Sequence, residues 1–181
     1  MKSNKLDKVF LVVLLFIAIP KVCLGECLSS FSPKATYEVC FTPNGDCAHK
    51  IIETIARAKK QILVQAYVFT DMSIAKALVA AKRNGVDVKI ILDKSEINKQ
   101  CKLIKFLRKH NIKVIIVDCS PAIAHNKIII ADEITITSSY NYSFGARRNL
   151  ENIILINDAG VAKKYIENWY RCESRGILSG K

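Results

Sequence analysis

Two rhythms of apolar and polar residues run through this chain and trade places along it. "YEVCF" (37–41) alternates with a period of two, as a half-buried strand does. "DCAHKIIETIARAKK" (46–60) opens on Asp46 in a capping position and spaces Ile51, Ile55 and Ala58 along one helical face. "ILVQAYVF" (62–69) predicts a strand rich in β-branched and aromatic residues, and "DMSIAKALVAAKRNG" (71–85) a helix closed by Gly85. A strand (86–93), a basic helix (97–110) with Ile97, Cys101, Ile104 and Leu107 as its apolar face, and a strand (112–118) follow. The character then changes. "KIIIAD" and "EITITSS" (127–139) are two β segments separated by a turn at Asp132–Glu133, which predicts a hairpin. "ENIILIN" (151–157) is a further strand, and 159–172 a closing helix with Tyr165 and Trp169 four apart. Winding βα units first and antiparallel pairing later predict an α/β fold: a mixed β-sheet flanked by helices on both faces.

The N-terminus follows neither rhythm. Lys2, Lys5 and Lys8 precede an 11-residue apolar run, Val9 to Ile19, which Pro20 ends; Cys23 and Gly25 are small residues beyond it. That is the layout of a secretory signal peptide over 1–25, with an uncleaved anchor as the alternative. The expected organisation is a signal peptide (1–25), a linker (26–36) and one catalytic domain (37–175), in a secreted or periplasmic protein. The 181-residue length suits a single core. Removing four lysines and one aspartate with the leader lowers the net charge from +12 to +9, which still calls for an acidic partner: nucleic acid, a phospholipid surface or another phosphate compound. Six cysteines remain, an even number in an oxidising compartment. Cys40 and Cys47, bracketing the turn-rich "FTPNGD", are the expected disulfide; Cys101 and Cys119 have buried free thiols as the alternative. No C-x-x-C or His/Cys cluster calls for zinc, and no cofactor is expected.

Only three histidines are present. His49 is expected on the surface of the first helix, and His110 partly exposed at the end of the basic helix, where the dipole favours it. His125 differs in its surroundings. It stands two residues from Lys127, so on a strand both point to one face. A lysine there is a point charge suited to a phosphate oxygen. Asp132 completes H-x-K-x-x-x-x-D, and Ser139, Asn141 and Glu151 follow the same hairpin.

At these residues the sequence resembles the phospholipase D superfamily. His125, Lys127 and Asp132 match its HKD signature, "SSYN" (138–141) is similar to its G-S-x-N element, and Glu151 matches the glutamate beyond. The resemblance runs from about Tyr37 to Trp169, and "AYVFTD", "ALVAAKRNGVDVKIILD" and "YIENWY" resemble the small single-motif bacterial branch of secreted phospholipases D and exported endonucleases. It implies metal-independent phosphodiester hydrolysis through a phosphohistidine on His125, with Lys127 and Asn141 holding the phosphate, Ser139 adding a hydrogen bond and Glu151 orienting a histidine. Asp132 belongs to the signature but reads better as a structural brace. One motif per chain implies a homodimer sharing one active site on its two-fold axis.

Ser138 stands where the family has glycine, a position where a tight backbone approach favours the smaller residue. A serine fits if its φ is negative; otherwise the enzyme is damaged, and a phosphate-binding homologue without activity is a third reading. Arg147 and Arg148 read as solvated loop charges, with substrate contact as the alternative. "EVCFTPNGDC" resembles the secreted phospholipases, which makes phospholipids such as phosphatidylcholine the expected substrate and DNA or RNA the alternative. A lipid enzyme should expose apolar residues at its site, and Phe144 is the candidate in the loop over 140–148.

Overall fold

A computed structural model describes residues 28–177; the leader and Cys27 lie outside the described residues. Eight strands and four helices follow one another: β1 (Thr36–Thr42), α1 (Cys47–Arg57), β2 (Gln61–Ala66), α2 (Met72–Arg83), β3 (Asp87–Asp93), α3 (Ile97–Lys109), β4 (Lys113–Val117), β5 (Lys127–Ala131), β6 (Ile134–Ser138), β7 (Glu151–Asn157), α4 (Ala159–Glu173) and β8 (Gly176–Ile177). They make one mixed sheet in the order β1-β7-β6-β5-β2-β3-β4-β8. β2, β3 and β4 run parallel, joined by crossover helices, and the remaining neighbours are antiparallel.

β5 occupies the middle between β2 and β6, and all five residues of Lys127–Ala131 are buried, which explains a strand of consecutive isoleucines. Ile129 and Ala131 face a large core with Ile51, Ile55, Ile74, Leu78, Leu103 and Leu107 of α1, α2 and α3. Ile128 and Ile130 face a smaller one with Leu63, Ile91 and Ile115, closed by Ala162 and Trp169 of α4. The indole of Trp169 donates to the Val64 carbonyl (2.9 Å), which satisfies its only polar group in that core.

The expected cap on α1 is present, the carboxylate of Asp46 accepting from the His49 amide, and α2 starts in the same way, with Asp71 accepting from Ser73 and Ile74. Gly85 ends α2 at φ 87°. The Cys40–Cys47 disulfide is formed. Three expectations shift. The strand expected over 62–69 stops at Ala66, because the Tyr67 amide turns to the Asn126 carbonyl and Phe69 bridges to Tyr142. Residues 31–36 are tied to the domain rather than loose: the Ser32 amide donates to Asp158, the cap of α4. The buried face of α3 is rotated from the one anticipated, with Gln100, Leu103, Ile104 and Leu107 inside. Cys101 is therefore exposed, and Cys119 is half-buried; both are free thiols.

Candidate active site

The C-terminal ends of the parallel strands β2 and β3 open at one end of the sheet, and every phosphate-handling candidate converges there. His125 lies in the loop just ahead of β5, exposed, with its amide turned to the Ile123 carbonyl. Lys127 begins the strand and is only 6% exposed. The two were expected on one face of one strand; only Lys127 is on the strand. Both side chains meet Tyr67, directly after β2. Its ring centroid is 4.8 Å from that of His125, and the Lys127 ammonium sits over the same ring at 5.3 Å. Lys127 Nζ also donates to the His125 carbonyl (2.8 Å).

Burial pulls the Lys127 ammonium below the ordinary lysine range, and the Glu151 carboxylate partly offsets this. Glu151 starts β7, beside Thr42 at the end of β1. Its carboxylate is fixed on both oxygens: the Ser139 hydroxyl donates to Oε2 (2.6 Å) and the Asn149 amide to Oε1 (3.1 Å). Ser139 in turn accepts from the Asn152 amide. The single hydroxyl proton of Ser139 is thus directed at Glu151. Asn141 is half-buried two residues on, and its Oδ1 has no hydrogen-bond partner among the described residues, so the fold does not use that atom.

Asp132 is not in the site. It sits at the far end of β5, five residues from Lys127, roughly 16 Å at ordinary strand rise. At φ 53° it turns the hairpin, and its carboxylate accepts from the amides of Lys59 (2.7 Å), Lys60 (3.0 Å) and Gln61 (2.9 Å). Burial works against its charge, but those three donors and the nearby Lys60 outweigh it and hold Asp132 below the usual carboxylate range. Membership of the signature therefore does not make Asp132 catalytic here; the brace reading stands on this geometry.

Ser138 closes β6 with a φ outside the left-handed region, paired with Ile153. Its hydroxyl lies 3.3 Å from the carbonyls of both Lys127 and Tyr140, so the residue ties the two motif segments together where glycine was expected. Arg147 is not a solvated charge. Its guanidinium holds buried Asp71 (2.8 and 3.2 Å) and reaches Ser73. Arg148 remains exposed, its guanidinium 5.7 Å from the Phe144 ring. His49 pairs with Glu53 on the surface, and His110 caps α3 with Nδ1 at 2.8 Å from the Phe106 carbonyl, both as expected.

Four residues packed behind the site escaped the sequence reading. Tyr67 is one. Asp93, at the end of β3, accepts from the Ala124 amide (2.5 Å), one residue before His125. Glu96 accepts from the Tyr67 hydroxyl (3.2 Å), and Gln100 bridges the Tyr67 carbonyl (2.9 Å) and the Phe69 amide (3.0 Å). The only sequence signal was a buried polar residue ending an apolar strand, "KIILD".

Comparison with known proteins agrees with this geometry. Residues 51–172 match the family described as cardiolipin synthase, PLD-like domain. The chain belongs to the phospholipase D superfamily. It is 40% identical over 139 residues to a phospholipase D of Rickettsia prowazekii, covering 76% of this chain and 67% of that protein. A mitochondrial cardiolipin hydrolase of Xenopus laevis is 26% identical over 160 residues, 87% of this chain and 74% of that one. The crystal structure of the phospholipase D family member Nuc from Salmonella typhimurium superposes with a TM-score of 0.77 at 31% identity, covering 82% of this chain and all of Nuc. As a superfamily member, the protein is a phosphodiesterase of the phospholipase D type.

Proposed function

We propose that the protein is an exported phospholipase D that acts as a homodimer on phospholipids at a membrane surface. The observation that carries the lipid reading is the exposure of apolar side chains in the segments that carry the site residues. Ile123 is 46% exposed, Phe144 68% and Leu150 91%, and each lies within three residues of His125, Asn141 or Glu151. Isolated exposed apolar residues are ordinary, but three flanking one polar site fit insertion at a lipid interface. Arg148 beside Phe144 adds a cation suited to anionic headgroups. The Rickettsia relatives named phospholipase D support the same reading.

In the proposed reaction an imidazole nitrogen of His125 attacks phosphorus, and the bond to the headgroup oxygen breaks. His125 of the partner subunit protonates the departing alcohol. Water, deprotonated by that same partner histidine, then attacks phosphorus and breaks the P–N bond, which releases phosphatidate and restores His125. Lys127 and Asn141 hold the phosphoryl oxygens as charge accumulates. One His125 per chain makes the second copy necessary. The exposed side chains of Tyr37, Val39 and Phe41, on the face of β1 and β7 away from α1, offer an apolar contact that continues to the Glu151 end of the sheet. The leader over 1–25 supports export.

An endonuclease is the second reading, supported by the +9 charge that remains without residues 1–25 and the exposed basic face of α3 (Lys102, Lys105, Lys109). The test offers phosphatidylcholine vesicles and, separately, plasmid DNA to the protein in EDTA, with His125→Ala as control. Headgroup release without nicking is expected; nicking without headgroup release would replace the lipid reading with the nuclease one.

A further inference from the structure

The HKD signature supplies His125 and Lys127, but the backbone geometry does not by itself aim them. His125 lies outside β5, exposed, in a loop that runs from the end of β4 to Lys127. A side chain so placed has several rotamers open to it, and a nucleophile must be held within about half an ångström of its attack geometry. Lys127 has the opposite difficulty: its ammonium is buried, which disfavours the charge that phosphate binding needs.

One side chain answers both. We infer that Tyr67 is a positioning residue for His125 and Lys127 together, its ring fixing the imidazole while its π-face holds the ammonium. The inference rests on the phosphohistidine reading above. The ring meets His125 at 4.8 Å with an interplanar angle of 56°, and lies 5.3 Å beneath Lys127 Nζ, within the range of a cation–π contact. Tyr67 is itself held at three further points. Its amide donates to the carbonyl of Asn126, the residue between the two it positions. Its carbonyl accepts from Gln100, and its hydroxyl donates to Glu96, which is buried and paired with Lys99. Asp93 steadies the same loop through Ala124. The first turns of α3 and the segment leading into them thus form a frame behind the nucleophile. The charged and titratable groups around Lys127 are Glu151 from β7, and Tyr67 and His125 on either side; Glu96 and Lys99 stand behind the tyrosine.

The division of labour within Tyr67 gives the test. Hydrolysis of bis(p-nitrophenyl) phosphate, a soluble diester that needs no lipid interface, is measured for wild type, His125→Ala, Tyr67→Phe and Tyr67→Leu. Tyr67→Phe keeps the ring and should stay within about threefold of wild type. Tyr67→Leu should lower kcat by roughly 10- to 100-fold with a smaller change in KM, as expected for a nucleophile left unaimed. Its alkaline limb should move to lower pH, since the ammonium loses its π partner. Leucine with wild-type kcat and an unmoved limb would overturn the inference while leaving the phosphohistidine reading intact. Equal activity of wild type and His125→Ala would instead overturn that underlying reading. Should Tyr67→Leu fail to fold, the wild-type protein still decides: the His125 ring protons, assigned by their loss in His125→Ala, should show the upfield ring-current displacement of a stacked imidazole. Undisplaced resonances would contradict the contact.

Discussion

The two ends of β5 carry the same short signature and do opposite things. At one end, His125 is exposed and Lys127 buried, both turned toward Tyr67. At the other, Asp132 spends its carboxylate on three backbone amides and closes the hairpin against the start of β2. The strand between them is fully buried and joins the two, so a single run of isoleucines serves as the ruler. The difference teaches that residues sharing a motif need not share a role. Asp132 stabilises the frame, and the frame holds the chemistry.

Substitutions at each end should separate these roles, and the largest effect falls at His125. His125→Ala should abolish turnover by about four orders of magnitude or more, with thermal stability nearly unchanged because the side chain is exposed. Turnover assays beside thermal melts check both halves. Next comes Lys127→Met, which removes the phosphate-holding charge and should cost roughly 10²- to 10³-fold in kcat. Burial already lowers the Lys127 pKa, so activity should decline on the alkaline side before ordinary lysine titrates at about 10.5. Glu151→Gln removes the carboxylate that opposes this, and its pH–rate profile should bend down at still lower pH.

At the other end, Asp132→Ala should leave three amides without their acceptor and cost about 1–3 kcal/mol of stability, read by denaturant titration, while kcat at low temperature stays within a few-fold. The pH dependence has a definite sign. A carboxylate held below its usual value stabilises the fold fully above the unfolded value near 3.8 and loses that contribution as pH falls through the folded one. Wild type should therefore lose stability on acidification below about pH 4 by more than Asp132→Asn does. If Asp132→Ala proved as inactive as His125→Ala while remaining folded, the two ends would not be separable as described. The smallest effect belongs to Ser138→Gly. Restoring the family's residue gives up one weak hydrogen-bonding hydroxyl and should change activity by no more than about twofold.

Much of the frame was legible in the sequence because periodicity reports which face of an element is buried. The strand–helix succession, the hairpin at Asp132 and the Cys40–Cys47 bridge all follow from local pattern and turn chemistry. Periodicity erred where a polar residue belonged inside: Gln100, not Cys101, carries the buried stripe of α3, because its amide links two backbone groups across the site. The motif exposed His125, Lys127, Asn141 and Glu151, since those types recur at fixed spacing. It could not expose Tyr67 or Asp93. Their contacts span some 30 to 60 positions and arise only when β2, β3 and the loop before β5 meet. Arg147 was misread for the same reason: its partner Asp71 is 76 residues away.

The central claim is that one active site needs His125 from two copies of the chain. Mixing wild-type chains with His125→Ala chains, co-refolded so that subunits exchange, tests it most directly. If a dimer holding one histidine is inactive, activity at constant total protein follows the square of the wild-type fraction, and an equal mixture retains about a quarter of the all-wild-type rate. An equal mixture that retains half, with activity linear in the wild-type fraction, would mean that each chain works alone and would contradict the account.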